Sequence, residues 1–151
     1  MRICATFAYD NESSRNKECA MGSMNWLGVI VATVLALGLA ALWHGPLFRS
    51  RRQFLRRVPH PKGMLWPFVL ALPIGAVMLG HAFARIGAET LAAKPWLYLM
   101  QSGGIAIAFV IPAVWLTIAR EGLDRRRQVI ECGYWLAAYL LMGAVFWLLQ
   151  R

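Results

Sequence analysis

MNWLGVIVATVLALGLAALWHGPLF, residues Met24 to Phe48, is the stretch on which the reading of this chain turns. From Trp26 to Trp43 it runs eighteen residues without a charge and with one hydroxyl, Thr33. At about 1.5 Å per helical residue, such a run covers the roughly 30 Å hydrocarbon layer of a bilayer. It is too long for an ordinary core helix, and it predicts a first transmembrane helix.

Three further apolar runs repeat the pattern. The second is Met64 to about Ile86, with Pro67 in its first turn and Pro73 inside. Pro67 costs nothing there, because the first-turn N–H has no helical partner. Pro73 should bend the helix. The third runs from Trp96 to about Ala119 and contains Gln101, Ser102, Gly103, Gly104 and Pro112. The fourth runs from about Ile130 to Leu149. The fold expected is all-α, a four-helix transmembrane bundle with spans at about 26–47, 64–86, 96–119 and 130–149.

Composition agrees. The chain has 151 residues, 59% hydrophobic and 15% charged, with mean hydropathy +0.51. Soluble domains carry about a quarter charged residues. The net charge of +9 does not indicate nucleic acid, because most of it lies in two short loops between apolar runs. Cys4, Cys19 and Cys132 form no C-x-x-C pair, and no Cys/His cluster has zinc spacing.

Residues 1–23 are polar and contain no apolar h-region, so they are not themselves a signal peptide. Met21 and Met24 stand directly before the first span. The expectation is that this tail is disordered, or lies upstream of a true start at one of these methionines, and that residues 24–151 form the membrane domain.

Orientation follows from counting basic residues. The first loop holds six (Arg49, Arg51, Arg52, Arg56, Arg57, Lys62) and the third holds four (Arg120, Arg125, Arg126, Arg127). The tail holds three, the second loop region two (Arg85, Lys94) and the C-terminus one (Arg151), which completes the sixteen. The count is ten against six. Loops 48–63 and 120–128 should face the cytoplasm and both termini the periplasm or exterior. All seven tryptophans fall near span ends, as rings that prefer the headgroup layer should.

In lipid, helices associate where small residues let backbones approach. Candidate inward faces are Gly28, Ala32, Ala36 and Ala40 in the first span, then Ala76, Gly80 and Ala84, then Gly104 and Ala108, then Gly133 and Ala137.

Ionisable groups inside a span are candidate functional residues. His44 closes the first span, and is read as an interfacial histidine bonded locally or as a ligand or proton site. His81 and Arg85, four apart, share a face near the outer boundary, where Arg85 can snorkel. Glu131 opens the last span one turn after Arg127, so a local Arg–Glu pair is expected, with Tyr134 and Cys132 nearby. Gln101 and Ser102 could bond to span two or line a cavity. Arg51, Arg52 and Arg56, with Phe54 and Leu55, fit a short amphipathic piece that holds anionic headgroups at the inner leaflet. No span carries an acidic residue near its middle, which counts against a proton-driven exchanger. No catalytic motif is present: no G-x-S-x-G, no H-E-x-x-H, no phosphate loop, no paired carboxylates. No metal or cofactor is implied.

Asn25-Trp26 opens the first span and Trp43-His44-Gly45-Pro46-Leu47-Phe48 closes it; Gly133-Tyr134-Trp135 and Met142-Gly143 mark the last. With these motifs the chain resembles an uncharacterised bacterial integral membrane family, domain of unknown function 1761, from about Met24 to the C-terminus. His44 departs from the tyrosine common there, and the basic first loop departs from a less charged one. The resemblance implies the membrane class and supplies no activity. Gly45-Pro46 also has a plain reading as a helix end at the interface, anchored by Trp43 and Phe48.

The functional expectation is a small inner-membrane protein that acts as an interaction or accessory module, or binds lipid or a small apolar ligand. The alternative is a minimal oligomeric transporter or channel, and an enzyme comes third. Expected partners are the bilayer, anionic lipid headgroups, a second copy or another membrane protein, and not nucleic acid.

Overall fold

The computed structural model describes residues 24–47, 66–122 and 124–149, together with all but a few of their side chains. Residues 1–23 and the basic loop with Arg51, Arg52 and Arg56 lie outside the described residues.

Asn25 starts the first helix. Its side-chain oxygen accepts a hydrogen bond from the Gly28 N–H at 3.0 Å, satisfying one of the donors that a helix start leaves open. Helix α1 runs Trp26–Leu42 and widens into a π-helical turn, Trp43–Leu47. Helix α2 is Trp66–Ile86, short helix α3 is Ala88–Ala93, and α4 is Trp96–Ile105. A π-helical segment, Ala106–Val110, joins α4 to α5, Ile111–Arg120. Helix α6 is Arg125–Leu149. Four stretches are long and apolar enough to cross a membrane: Trp26–Gly45, Val69–Ile86, Trp96–Arg120 and Arg125–Leu149. This is a multi-pass membrane protein.

Two features differ from the expected outline. The second connection is not a bare loop: Gly87 adopts φ 91°, a left-handed value suited to glycine, and α3 follows, with Leu91 tucked into the core. The fourth span begins earlier than expected. Its first turn carries Arg125, Arg126 and Arg127, charges that keep that turn out of the hydrocarbon.

Helix α6 is the centre of the bundle. It packs extensively on α1 and α4, further along on α5, and more lightly on α2. Helix α2 packs mainly on α1. Of the third span's apolar window 17% is buried, against 39% of the fourth, so the third lies at the periphery. The core gathers Val29, Ala32 and Ala36 from α1, Leu72, Ala76, Leu79 and Phe83 from α2, Tyr98 from α4, and Met142, Val145 and Phe146 from α6. Phe83 stands 4.8 Å from Tyr98 and 5.2 Å from Phe146, ring centre to ring centre, at tilts suited to aromatic edges and faces. The Phe146 ring fills the space above two glycines: a Cβ on Gly28 would lie 2.8 Å from it and one on Gly80 3.3 Å.

The small-residue face of α1 is as expected, with Gly28, Ala32, Ala36 and Ala40 all buried. Ala76 and Gly80 are buried in α2 and Ala84 is half-buried. In the third span the buried face differs from the expected one. Gly104 and Ala108 are exposed, whereas Gly103 lies against Leu140 and Ala106 is buried. In α6, Tyr134 and Ala138 are fully buried in place of Gly133 and Ala137, which are half-buried. The tryptophans divide. Trp26, Trp96 and Trp115 are exposed, whereas Trp43, Trp135 and Trp147 pack partly against the bundle.

Candidate functional site

Where α1 gives way to its π-helical turn, the chain presents Trp43 and His44 to α6. The two residues tie the first span to the last. The Trp43 indole N–H donates to the Ile130 carbonyl at 3.2 Å. The edge of the Trp43 ring lies over Gly133, where a Cβ would stand 3.5 Å away. The His44 Nε2 lies 3.1 and 3.2 Å from the two carboxylate oxygens of Glu131. His44 Nδ1 lies 3.1 Å from the Ala40 carbonyl oxygen. Beneath them sits Tyr134, fully buried, its ring edge-on to His44 at 5.0 Å. Its hydroxyl reaches the Ala36 carbonyl at 3.5 Å, a long and weak bond.

The chemistry of this cluster follows from its donors and acceptors. A carbonyl oxygen faces Nδ1 and a carboxylate faces Nε2. A neutral imidazole has one N–H and cannot satisfy both. A ring protonated on both nitrogens donates to both acceptors, to the Glu131 carboxylate through Nε2 and to the Ala40 carbonyl through Nδ1. The two side chains are 18% and 26% exposed, so water reaches the pair. Glu131 thus pairs across the bundle with His44 and not along its own helix with Arg127, the partner expected from spacing. Its carboxylate points toward α1, where the π-helical turn delivers the imidazole.

The remaining candidates lie elsewhere. His81 and Arg85 are both exposed near the C-terminal end of α2, far along the fold from His44. Gln101 is half-buried on α4. Ser102 is fully buried, but its hydroxyl donates to the Tyr98 carbonyl at 2.9 Å, inside its own helix. Thr33 does the same to Val29 at 2.8 Å. Neither donates to a neighbouring span, although the Ser102 hydroxyl packs against Gly143 of α6. Trp43 was legible only as an interfacial anchor; its bond to Ile130 joins positions 87 residues apart, which no local pattern reveals. Among the described residues no group of three His, Cys, Asp or Glu side chains gathers around a point that could hold a metal.

These features define a small four-span helical membrane protein with a histidine–glutamate pair at one end of its bundle. The chain matches the family described as Protein of unknown function (DUF1761) over residues 27–147, and it belongs to that family. No curated protein and no solved structure matches it.

Proposed function

We propose that this protein is an accessory or interaction module of the bacterial inner membrane that engages lipid or a small apolar ligand at its perimeter. Both termini face the periplasm, and residues 48–63 and 120–128 face the cytoplasm. One observation carries the reading. The Thr33 and Ser102 hydroxyls are bonded back into their own helices, and the described interior between the spans is mostly Ala, Val, Leu, Phe and Met. A carrier or pore within one copy needs polar groups that converge along a path. This interior supplies none among the described residues, so contacts form on the outside. The basic first loop adds about 1 kcal/mol per Lys or Arg for anionic headgroups near the surface.

Native mass spectrometry of the full chain from mild detergent tests the reading. Retained anionic phospholipid, on a single copy or a small homo-oligomer, is the expected result. Complete delipidation together with solute flux through protein-loaded vesicles would replace this reading with an oligomeric transporter.

A further inference from the structure

Gln101 on α4 carries hydrogen-bonding groups that its own bundle does not use. A glutamine amide has two N–H donors and a carbonyl acceptor. No hydrogen bond reaches this one among the described residues, and the side chain is only half-buried. The hydroxyls of the same span behave differently. Ser102 donates to the Tyr98 carbonyl at 2.9 Å and Thr117 to the Ala113 carbonyl at 2.8 Å, each within its own helix. Gln101 stands five residues after Trp96, about 7.5 Å into the span. Lipid tails there offer neither donor nor acceptor.

The surroundings of Gln101 show where a partner fits. Gly104 and Ala108 follow at spacings of three and four, on the same flank of the span. Both are exposed, and a Cβ at Gly104 would meet nothing within 4 Å. Small residues matter in lipid where two backbones approach, yet no helix of the same copy lies over Gly104. The third span is also the least buried of the four, 17% of its apolar window against 28%, 33% and 39%.

We propose that this flank is the contact face of a homodimer, in which Gln101 of each copy hydrogen-bonds to Gln101 of the other. Self-complementarity selects the occupant. Two copies inserted in the same direction are related by a two-fold axis along the membrane normal, which brings each residue and its duplicate to one depth. An amide both donates and accepts, so each Gln101 gives an N–H to the other's carbonyl oxygen. Gly104 and Ala108 let the two third spans close to that distance. The dimer goes beyond the perimeter-lipid reading and does not depend on it.

Energy transfer between full chains carrying donor or acceptor labels on a C-terminal tag, diluted with phospholipid in vesicles, reads the association. Wild type is expected to follow a monomer–dimer equilibrium. Gln101→Leu, similar in size and without hydrogen bonds, is expected to weaken it about three- to tenfold, the worth of one or two such bonds in lipid. Gln101→Asn keeps the amide and is expected to retain most of the association. Gly104→Ile projects into open space within one copy, so it is expected to abolish the dimer while the helical spectrum is kept. Gly38→Ile makes the same change at an exposed glycine of α1, also with nothing within 4 Å, and is expected to leave the dimer intact. A monomer at every dilution, association that Gln101→Leu and Gly104→Ile leave unchanged, or equal disruption by Gly38→Ile overturns the dimer. Retained anionic phospholipid on a single copy upholds the perimeter reading while this contact falls. A delipidated dimer upholds the contact and counts against that reading.

Discussion

His44 and Glu131 show how donor count governs a site. The imidazole has an acceptor at each nitrogen, and only a ring protonated on both nitrogens donates to both. His44→Ala leaves a half-buried carboxylate without its partner. Because both side chains are partly exposed, the expected loss is about 1 kcal/mol, at the modest end for a charged hydrogen bond. Glu131→Gln behaves differently. The amide N–H donates to Nε2 while Nδ1–H donates to Ala40, so both bonds survive with a neutral ring. That variant should stay within about 0.5 kcal/mol of wild type. Unfolding in mixed micelles ranks the three proteins, and a Glu131→Gln loss equal to that of His44→Ala contradicts the assignment. Gly143 marks a tighter constraint. A Cβ there would collide with the Ser102 hydroxyl and lie 2.9 Å from the Tyr98 carbonyl, which is backbone and cannot swing aside. Gly143→Ala should cost about 1–3 kcal/mol in the same measurement.

At the scale of elements, the two π-helical segments explain where side chains point. Each lies beside a proline: Pro46 is inside the first, and Pro112 follows the second. Proline lacks the N–H that would close an α-helical turn, and a widened turn is one way to absorb the defect. The wider turn carries an additional residue, which rotates everything after it. Counting on at helical period from Ala106 along the buried face brings Thr117 toward α6. Instead Ile118 is buried and Thr117 is exposed. Pro112→Ala should relax the segment toward regular α-helix and exchange these two positions. Spin labels at 117 and 118, read for accessibility to lipid-soluble oxygen, should trade values in that variant. Identical values with and without the proline would show that packing against α6, and not the proline, sets the rotation. Pro73 lies in α2 with no such segment around it, so the response belongs to the local packing and not to proline alone.

For the whole molecule, the last span serves as the axis on which the others assemble, and the third is the outermost. A chain arranged this way exposes most of its third span to lipid, which suits perimeter contact. Charge should set its orientation. Ten basic residues in loops one and three, against six elsewhere, should hold both hairpin bends inside the cell. A reporter active only in the cytoplasm, fused after Arg151, should be silent, whereas the same reporter placed within residues 48–63 should be active. Full signal from the C-terminal fusion would reverse the topology.

Span number, approximate boundaries and the small-residue face of α1 were legible in the linear chain. They depend on length, hydropathy and a four-residue spacing, each of which acts locally. The face of the third span was not legible, because Gly103 and Gly104 are adjacent and equally small; only Leu140 on α6 distinguishes them. His44 and Glu131 were both marked as candidates, yet spacing favoured Arg127 as the partner of Glu131. The true pairing spans 87 residues and needs α1 and α6 side by side, with a π-helical turn to aim the imidazole. Periodicity records which residues can face a neighbour. Which neighbour stands there is decided only when the helices pack.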